Sequence, residues 1–277
     1  MKSILLKLKE PIEKPTIPIE AENISPDVFA NKTLETIKQL SIWRGNKEIR
    51  LDEVFEITGD SLLEISAQDI AIELQGNLAK FKRIGQKMTA GIIKINGSVG
   101  MHLGEQMEGG KIIVEGDVHD FAGANMKDGE IHIKGNAGHY LGGSVRGEWR
   151  GMSGGRILVE GNVKNECGVW MRNGIIEIKG NATMFTGMHM HRGIIIVHGD
   201  IEERAGAEMT GGIIVICGKL HKNLPSFEYV KEITGIELEG YGKLPDTFYE
   251  FHGDFAEKKQ GVMYVKTLQN NHLIADY

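Results

Sequence analysis

Proline is scarce in this chain of 277 residues: there are six, and none falls between Pro26 and Pro225. That absence argues against a proline-rich linker or a collagen-like segment. Cysteine is scarcer still. Cys167 and Cys217 are the only two, so the chain alone cannot ligate an iron–sulfur cluster or complete a four-cysteine zinc site. No run of Lys and Arg exists and the net charge is −6, which disfavours nucleic acid as a partner. Apolar runs stop far short of a membrane span. The start, MKSILLKLKEP, lacks a signal-peptide core and cleavage site, which points to the cytoplasm.

Glycine is what the sequence has in excess: 37 residues, near twice ordinary usage. With 41% hydrophobic and 25% charged residues, the chain can bury a core and is not disordered. Abundant glycine without proline fits regular backbone pairing broken by tight turns.

An apolar-x-apolar-polar-Gly unit recurs at Gly76, Gly97, Gly116, Gly135, Gly161, Gly180, Gly199 and Gly218. The intervals are 21, 19, 19, 26, 19, 19 and 19, a period of 19 with insertions of two and seven residues. Before each glycine stand two alternating apolar residues, from Ile72/Leu74 through Ile176/Ile178 to Ile214/Ile216. That is strand patterning with the apolar side chains directed inward. After six of the eight glycines comes Asn or Asp, a turn pairing. Seven residues on stands a second glycine: Gly104, Gly123, Gly142, Gly168, Gly187 and Gly206. Three further comes methionine, and three beyond that a third glycine. Seven of the twelve methionines share this one position.

A unit of 19 residues cannot bury an apolar face alone, but stacked units can. No stretch between glycines has room for an amphipathic helix. The fold class expected is all-β: a right-handed parallel β-helix of about eight 19-residue coils over residues 70–220, roughly 34 Å long, with small mixed flanking segments. Residues 1–69 and 221–277 are read as capping or docking regions, because solenoid ends need cover. Ile4, Leu6 and Leu8 alternate like a strand. Pro11, Pro15 and Pro18 mark an extended connection. Ser25-Pro26-Asp27 reads as a helix start, Thr33–Leu40 as a second short helix, and Arg44-Gly45-Asn46-Lys47 as a hairpin turn.

Site candidates are few. His189-Met190-His191 is the sharpest metal-like motif. Met190 belongs to the inward column, so both histidines face outward beside Trp170, Glu208, Arg172 and Thr210. Only Glu208 could serve as a third ligand, whereas metal sites use three or four. Cys167 falls in a small inward column and reads as a core residue. Cys217 falls in an outward column, too far away for a disulfide. Gly135-x-x-Gly138 and Gly142-Gly143 are locally phosphate-loop-like, but no helix follows and the spacing recurs in every coil, so turns are expected. Lys94, Glu115, Lys134, Glu160, Glu177 and Lys179 form an outward set of mixed charge, read as a solvated face. The insertion, Ser144–Gly151, carries Arg146, Trp149 and Arg150 on a loop leaving a regular scaffold. Trp and Arg dominate interface hot spots and loops carry function, so these three residues are the candidate subunit interface. No nucleophile–base–orienter set emerges, so catalytic residues are read as none.

The columns G-x-x-x-x-x-x-G-x-x-M-x-x-G resemble a glycine-repeat β-helix found in two systems. One is the carboxy-terminal domain of the glutamate synthase large subunit. The other is the C subunit of formylmethanofuran dehydrogenase, with its bacterial formyltransferase/hydrolase relative. The stretches ISPDVFANKTLETIKQL and WRGNKEIRLDEVFEI, the insertion SVRGEWRGMSGG and the exit LPSFEY look like that C subunit. The resemblance implies a non-catalytic scaffold in a complex that reduces CO2 and fixes it on methanofuran, the first step of methanogenesis from CO2. It implies catalytic A, B and D subunits and iron–sulfur subunits as partners. It implies a tungsten or molybdenum pterin, iron–sulfur clusters and a dinuclear metal site in those other chains, and no cofactor in this one. A stand-alone glutamate synthase β-helix, or the C subunit of the bacterial complex, are the alternatives.

Overall fold

The computed structural model describes residues 1–10 and 17–275; Pro11 and Pro15 lie outside them. The chain begins with β1 (Lys2–Leu8), β2 (Ile19–Glu20), the short helices α1 (Pro26–Phe29) and α2 (Leu34–Lys38), and the hairpin β3 (Ser41–Arg44)–β4 (Lys47–Arg50). Helix α3 (Leu51–Val54) and β5 (Phe55–Gly59) follow. Local chemistry explains these starts. The Ser25 hydroxyl accepts from Val28 N–H ahead of Pro26, and the Thr33 hydroxyl accepts from Thr36 N–H. Gly45, at φ 62°, turns the hairpin.

The repeat contributes β6 (Ile70–Gln75), β7 (Phe81–Lys82), β8 (Ile92–Asn96), β9 (Glu108–Val114), β10 (Asp128–Ile133), β11 (Ser153–Val159), β12 (Asn173–Ile178), β13 (Ile194–Val197), β14 (Ile201–Glu203), β15 (Ile213–Ile216) and β16 (Leu220–Lys222). The tail adds β17 (Glu228–Leu238), β18 (Gly242–Gly253) and β19 (Gly261–Lys266). The protein is all-β in class. Its main sheet has thirteen strands in the order β17-β18-β19-β15-β13-β12-β11-β10-β9-β8-β6-β1-β5. Every neighbouring pair in that order from β19 to β1 is parallel.

The register stacks like on like. Ile72, Ile93, Ile112, Ile131, Ile157, Ile176, Ile195 and Ile214 pair in series, closed by Ile4 at one end and Met263 at the other. All are buried. A second parallel column of single bridges runs from Leu78 through Val99, Val118, Ala137, Val163 and Ala182 to Ile201, then continues into the β14–β16 pair. The strands therefore present two parallel ladders around one core.

The glycine and methionine columns interlock. Met88, Met107, Met126, Met152, Met171, Met190 and Met209 are fully buried. A Cβ at Gly110, Gly129, Gly155, Gly174, Gly193 or Gly212 would meet the methyl of the preceding coil's methionine at 2.6–2.9 Å. Likewise Gly104, Gly123, Gly142, Gly168 and Gly187 each face an isoleucine methyl at 2.5–2.8 Å; Gly206 instead faces Phe227 at 2.7 Å. The glycines thus make room for the long side chains of neighbouring coils, which is close packing rather than loop flexibility. The Asn and Asp that follow the first column do a separate job. Asp117, Asn136, Asn162, Asn181 and Asp200 each accept the next coil's backbone N–H at 2.7–2.9 Å, so the turn column is tied coil to coil.

Both ends of the stack are covered. At the far end Asn270, fully buried, accepts from Leu220 N–H and donates to the carbonyls of Gly218 and Lys266 at 2.8–2.9 Å. It supplies the partners that a further coil would have supplied. Asn270→Ala is expected to destabilise the chain by about 2 kcal/mol, with faster amide exchange at Leu220. A urea titration with hydrogen exchange checks this; unchanged protection at Leu220 would contradict it.

One expectation from the sequence needs correction. The outward face is not solvated throughout. The antiparallel pair β17–β18 lies over its last coils, and Ile236, Leu238 and Phe248 form a second apolar cluster with Ile194, Ile196 and Val215. Glu177 is only 3% exposed. Its carboxylate accepts from Arg156, Lys179 and Tyr241 at 2.5–2.9 Å and lies 3.0 Å from His198 Nε2. Cys217 borders the same cluster, and burial pushes its thiol up to about 11. Lys94, Glu115, Lys134, Glu160 and Lys179 are exposed.

Candidate subunit interface

The insertion replaces a simple turn between β10 and β11. Its base is fixed. Ser144 is buried, Met152 N–H donates to Gly142, and Gly151 N–H donates to Trp170. Its middle is held by two residues of neighbouring coils. Asn125 accepts from Val145 N–H and donates to Glu148 Oε2 and to the Arg150 carbonyl, both at 2.6 Å. Arg172 Nη2 donates to the Trp149 carbonyl at 3.0 Å. Arg146, Trp149 and Arg150 are themselves exposed, Trp149 to 70%. An exposed tryptophan on a backbone pinned at both ends is pre-organised, so little ordering entropy opposes contact there.

At the foot of the loop lies a cleft of about 620 Å³ lined by Gln106, Asn125, Lys127, Glu148, Arg150, Gly151, Ser153 and Arg172. Asn125 and Arg172 are the loop-anchoring residues that sequence reasoning missed. Each sits beside a column methionine, at positions that vary from coil to coil, so nothing in the repeat marks them.

The His189-Met190-His191 motif lies in a turn, not on a strand. His189 adopts φ 55°, stacks on Trp170 at 4.0 Å, and has Nδ1 3.5 Å from Glu208. His191 Nδ1 lies 2.8 Å from the Thr210 hydroxyl. Its pKa is lowered, first by burial and then by Arg172, Arg192 and Lys258. Met190 is buried between them. Among the described residues no group of three or more His, Cys, Asp or Glu is placed to hold a metal ion. Cys167 is fully buried, and burial alone pushes its thiol up to about 12, leaving it a poor nucleophile at neutral pH. Gly138 and Gly142 lie within one repeat unit, Gly142 in a turn; a Cβ at Gly138 would meet Asp120 Oδ1 at 2.2 Å.

Comparison with known proteins supplies the family. A family model described as the GXGXG motif matches residues 57–238. The C subunit of tungsten-containing formylmethanofuran dehydrogenase 2 from Methanothermobacter thermautotrophicus is 59% identical over 264 residues, covering 95% of this chain and 97% of that one. The chain belongs to the family of formylmethanofuran dehydrogenase C subunits. A second member of this family, from Methanococcus maripaludis, is 52% identical over 287 residues, covering 99% of this chain and all of the relative. Among solved structures, the formyltransferase/hydrolase complex FhcABCD from Methylorubrum extorquens, in complex with methylofuran, contains a chain that superposes with a TM-score of 0.80 at 25% identity. That match covers 95% of this chain and 99% of the other. The likeness in fold therefore extends beyond the repeat into the flanks.

Proposed function

We propose that this chain is the non-catalytic scaffold of a formylmethanofuran dehydrogenase complex, which reduces CO2 and fixes it on methanofuran. The observation that carries this reading is the 59% identity to a tungsten-type C subunit along nearly the whole of both chains. In this reading the parallel sheet is a right-handed β-helix of about eight 19-residue coils spanning 70–220, flanked by capping regions 1–69 and 221–277. The pterin-bound tungsten or molybdenum, the iron–sulfur clusters and the dinuclear metal site belong to partner subunits. Those partners are the catalytic A, B and D subunits and the iron–sulfur subunits, in the cytoplasm. The likeness to a chain of the formyltransferase/hydrolase complex supports a place in a multi-subunit complex as well.

Cys167 and Glu177, two groups that could otherwise react, are engaged in structure, which supports a role in shape rather than chemistry. Cys167 is buried in the core. Glu177 is saturated by donors. The insertion loop is the contact. Trp149→Ala is expected to weaken assembly by about 2 kcal/mol while leaving the melting temperature of the isolated chain unchanged. Assembly at wild-type strength would remove the loop from the interface. The role itself is tested by anoxic affinity purification of the tagged chain from its native host. Stoichiometric recovery of a pterin-type and an amidohydrolase-like subunit is expected. Recovery of the chain alone, or with a glutaminase-type and an FMN-type polypeptide, would overturn the reading.

A further inference from the structure

The arginines of this chain divide by what they face. Arg50, Arg83, Arg156 and Arg204 each have a carboxylate oxygen within 4.0 Å. Arg44, in the β3–β4 hairpin, and Arg146, Arg150, Arg172 and Arg192 have none among the described residues. Three of these five gather at the insertion: Arg146 and Arg150 lie on it, and Arg172 hydrogen-bonds to it. Arg150 and Arg172 line the cleft together with Lys127. Arg172 and Arg192 both act electrostatically on His191, which extends the positive surface to the next coil. The one acidic wall residue is Glu148, and its Oε2 is taken by Asn125; Lys127 is paired with Glu108 at 2.5 Å. Arg172 gives one Nη2 bond to the Trp149 carbonyl, while its Nε is buried with no hydrogen-bond partner. Two guanidinium groups therefore border one cleft with unused donors and no carboxylate paired to either. Guanidinium forks match carboxylates in planar, two-bond geometry better than any other protein group.

We propose that the cleft beneath the 144–151 loop is a carboxylate-binding site that receives an acidic segment of a partner subunit, with Arg150 and Arg172 as its receptors. The charge left open on this face selects that occupant. A basic segment would meet like charge, and a wholly apolar one would leave two guanidinium groups desolvated without partners. This inference rests on the scaffold reading above and names the chemistry of its contact. Acidic side chains seated here would also steer encounter, making assembly salt-dependent.

The test uses the complex purified anoxically from the native host carrying tagged variants. Arg150→Glu changes an exposed side chain with no carboxylate partner among the described residues, so its fold is expected to stay intact; melting of the isolated chain confirms that. Arg172→Gln is the second variant. Each is expected to lower partner recovery about tenfold or more. Wild-type recovery is expected to fall with rising salt. Wild-type recovery for both variants, or wild-type recovery that does not fall with rising salt, would overturn the inference. If the untreated wild-type chain recovers no partner at all, the scaffold reading fails instead, and the two failures are distinguishable.

Discussion

Gly97→Ala is expected to destabilise the chain by about 4 kcal/mol, whereas Gly147→Ala should cost only about 1 kcal/mol. Gly97 has φ 149°, and a Cβ there would lie 2.2 Å from the Gly76 carbonyl oxygen of the preceding coil. Two costs add: a backbone conformation reserved for glycine, and a clash with main chain that cannot rotate away. The clash also sits in the ladder where first-column glycines donate to the ones before, as Gly116 does to Gly97. Separating the coils to admit a methyl would break contacts on both sides. Gly147, at φ 89° in the insertion, has nothing within 4 Å of its Cβ position, so only the conformational cost applies. Urea unfolding of the two variants side by side checks this. Equal losses would mean that the coils do not stack as closely as described.

Glu177→Gln is expected to destabilise by about 2 kcal/mol and to loosen β17–β18 from the outer face. The carboxylate is buried, but Arg156 and Lys179 are about 40% exposed, so water makes good part of what they lose when its charge is removed. Here Arg156 and Lys179 would lose their counter-charge, and the Tyr241 hydroxyl its charged acceptor. Burial alone would raise the Glu177 pKa, but the bonds from Lys179, Arg156, Tyr241 and His198 outweigh it and hold the carboxyl at about 2, against an ordinary 4.5. A group whose pKa is depressed on folding stabilises the fold above its unfolded pKa. That stability is complete above about pH 4.5 and is lost as the pH falls towards about 2. The wild type should therefore lose stability across that window, and Glu177→Gln should lose less. Identical acid sensitivity in the two proteins would contradict the account. Tyr241 follows the same logic: its hydroxyl is pushed up to about 12, first by burial and then by the bond to Glu177.

The repeat is legible because it is written in columns. Ile72 predicts the place of Ile93, and Ile93 that of Ile112, so register follows from counting. Short-range signals are equally plain at Ser25-Pro26, at Thr33 and at Gly45. The rest depends on pairs that are distant in sequence. Ile194, Ile196 and Val215 occupy outward positions and are apolar, which signals a covered face. Their cover, Ile236, Leu238 and Phe248, lies in the tail and carries no repeat. Treating all coils alike makes Glu177 one more solvated charge, and only the tail shows otherwise. Asn270 meets Leu220 across 50 residues, and nothing local in the sequence announces it. In the insertion, the residue types identify Arg146, Trp149 and Arg150 as contact candidates. Their anchors, Asn125 and Arg172, and the cleft beneath them follow from how three coils align. That alignment is tertiary, and the 19-residue period carries no trace of it.

The central claim is that this chain gives the complex shape and contact, while the chemistry resides in other chains. A cryo-electron microscopy map of the complex, purified anoxically from its native host, tests this most directly. The account predicts every metal and pterin density within partner subunits, and the 144–151 loop buried against one of them, with an acidic side chain between Arg150 and Arg172. A cofactor ligated by this chain, or the loop standing free in solvent, would contradict it.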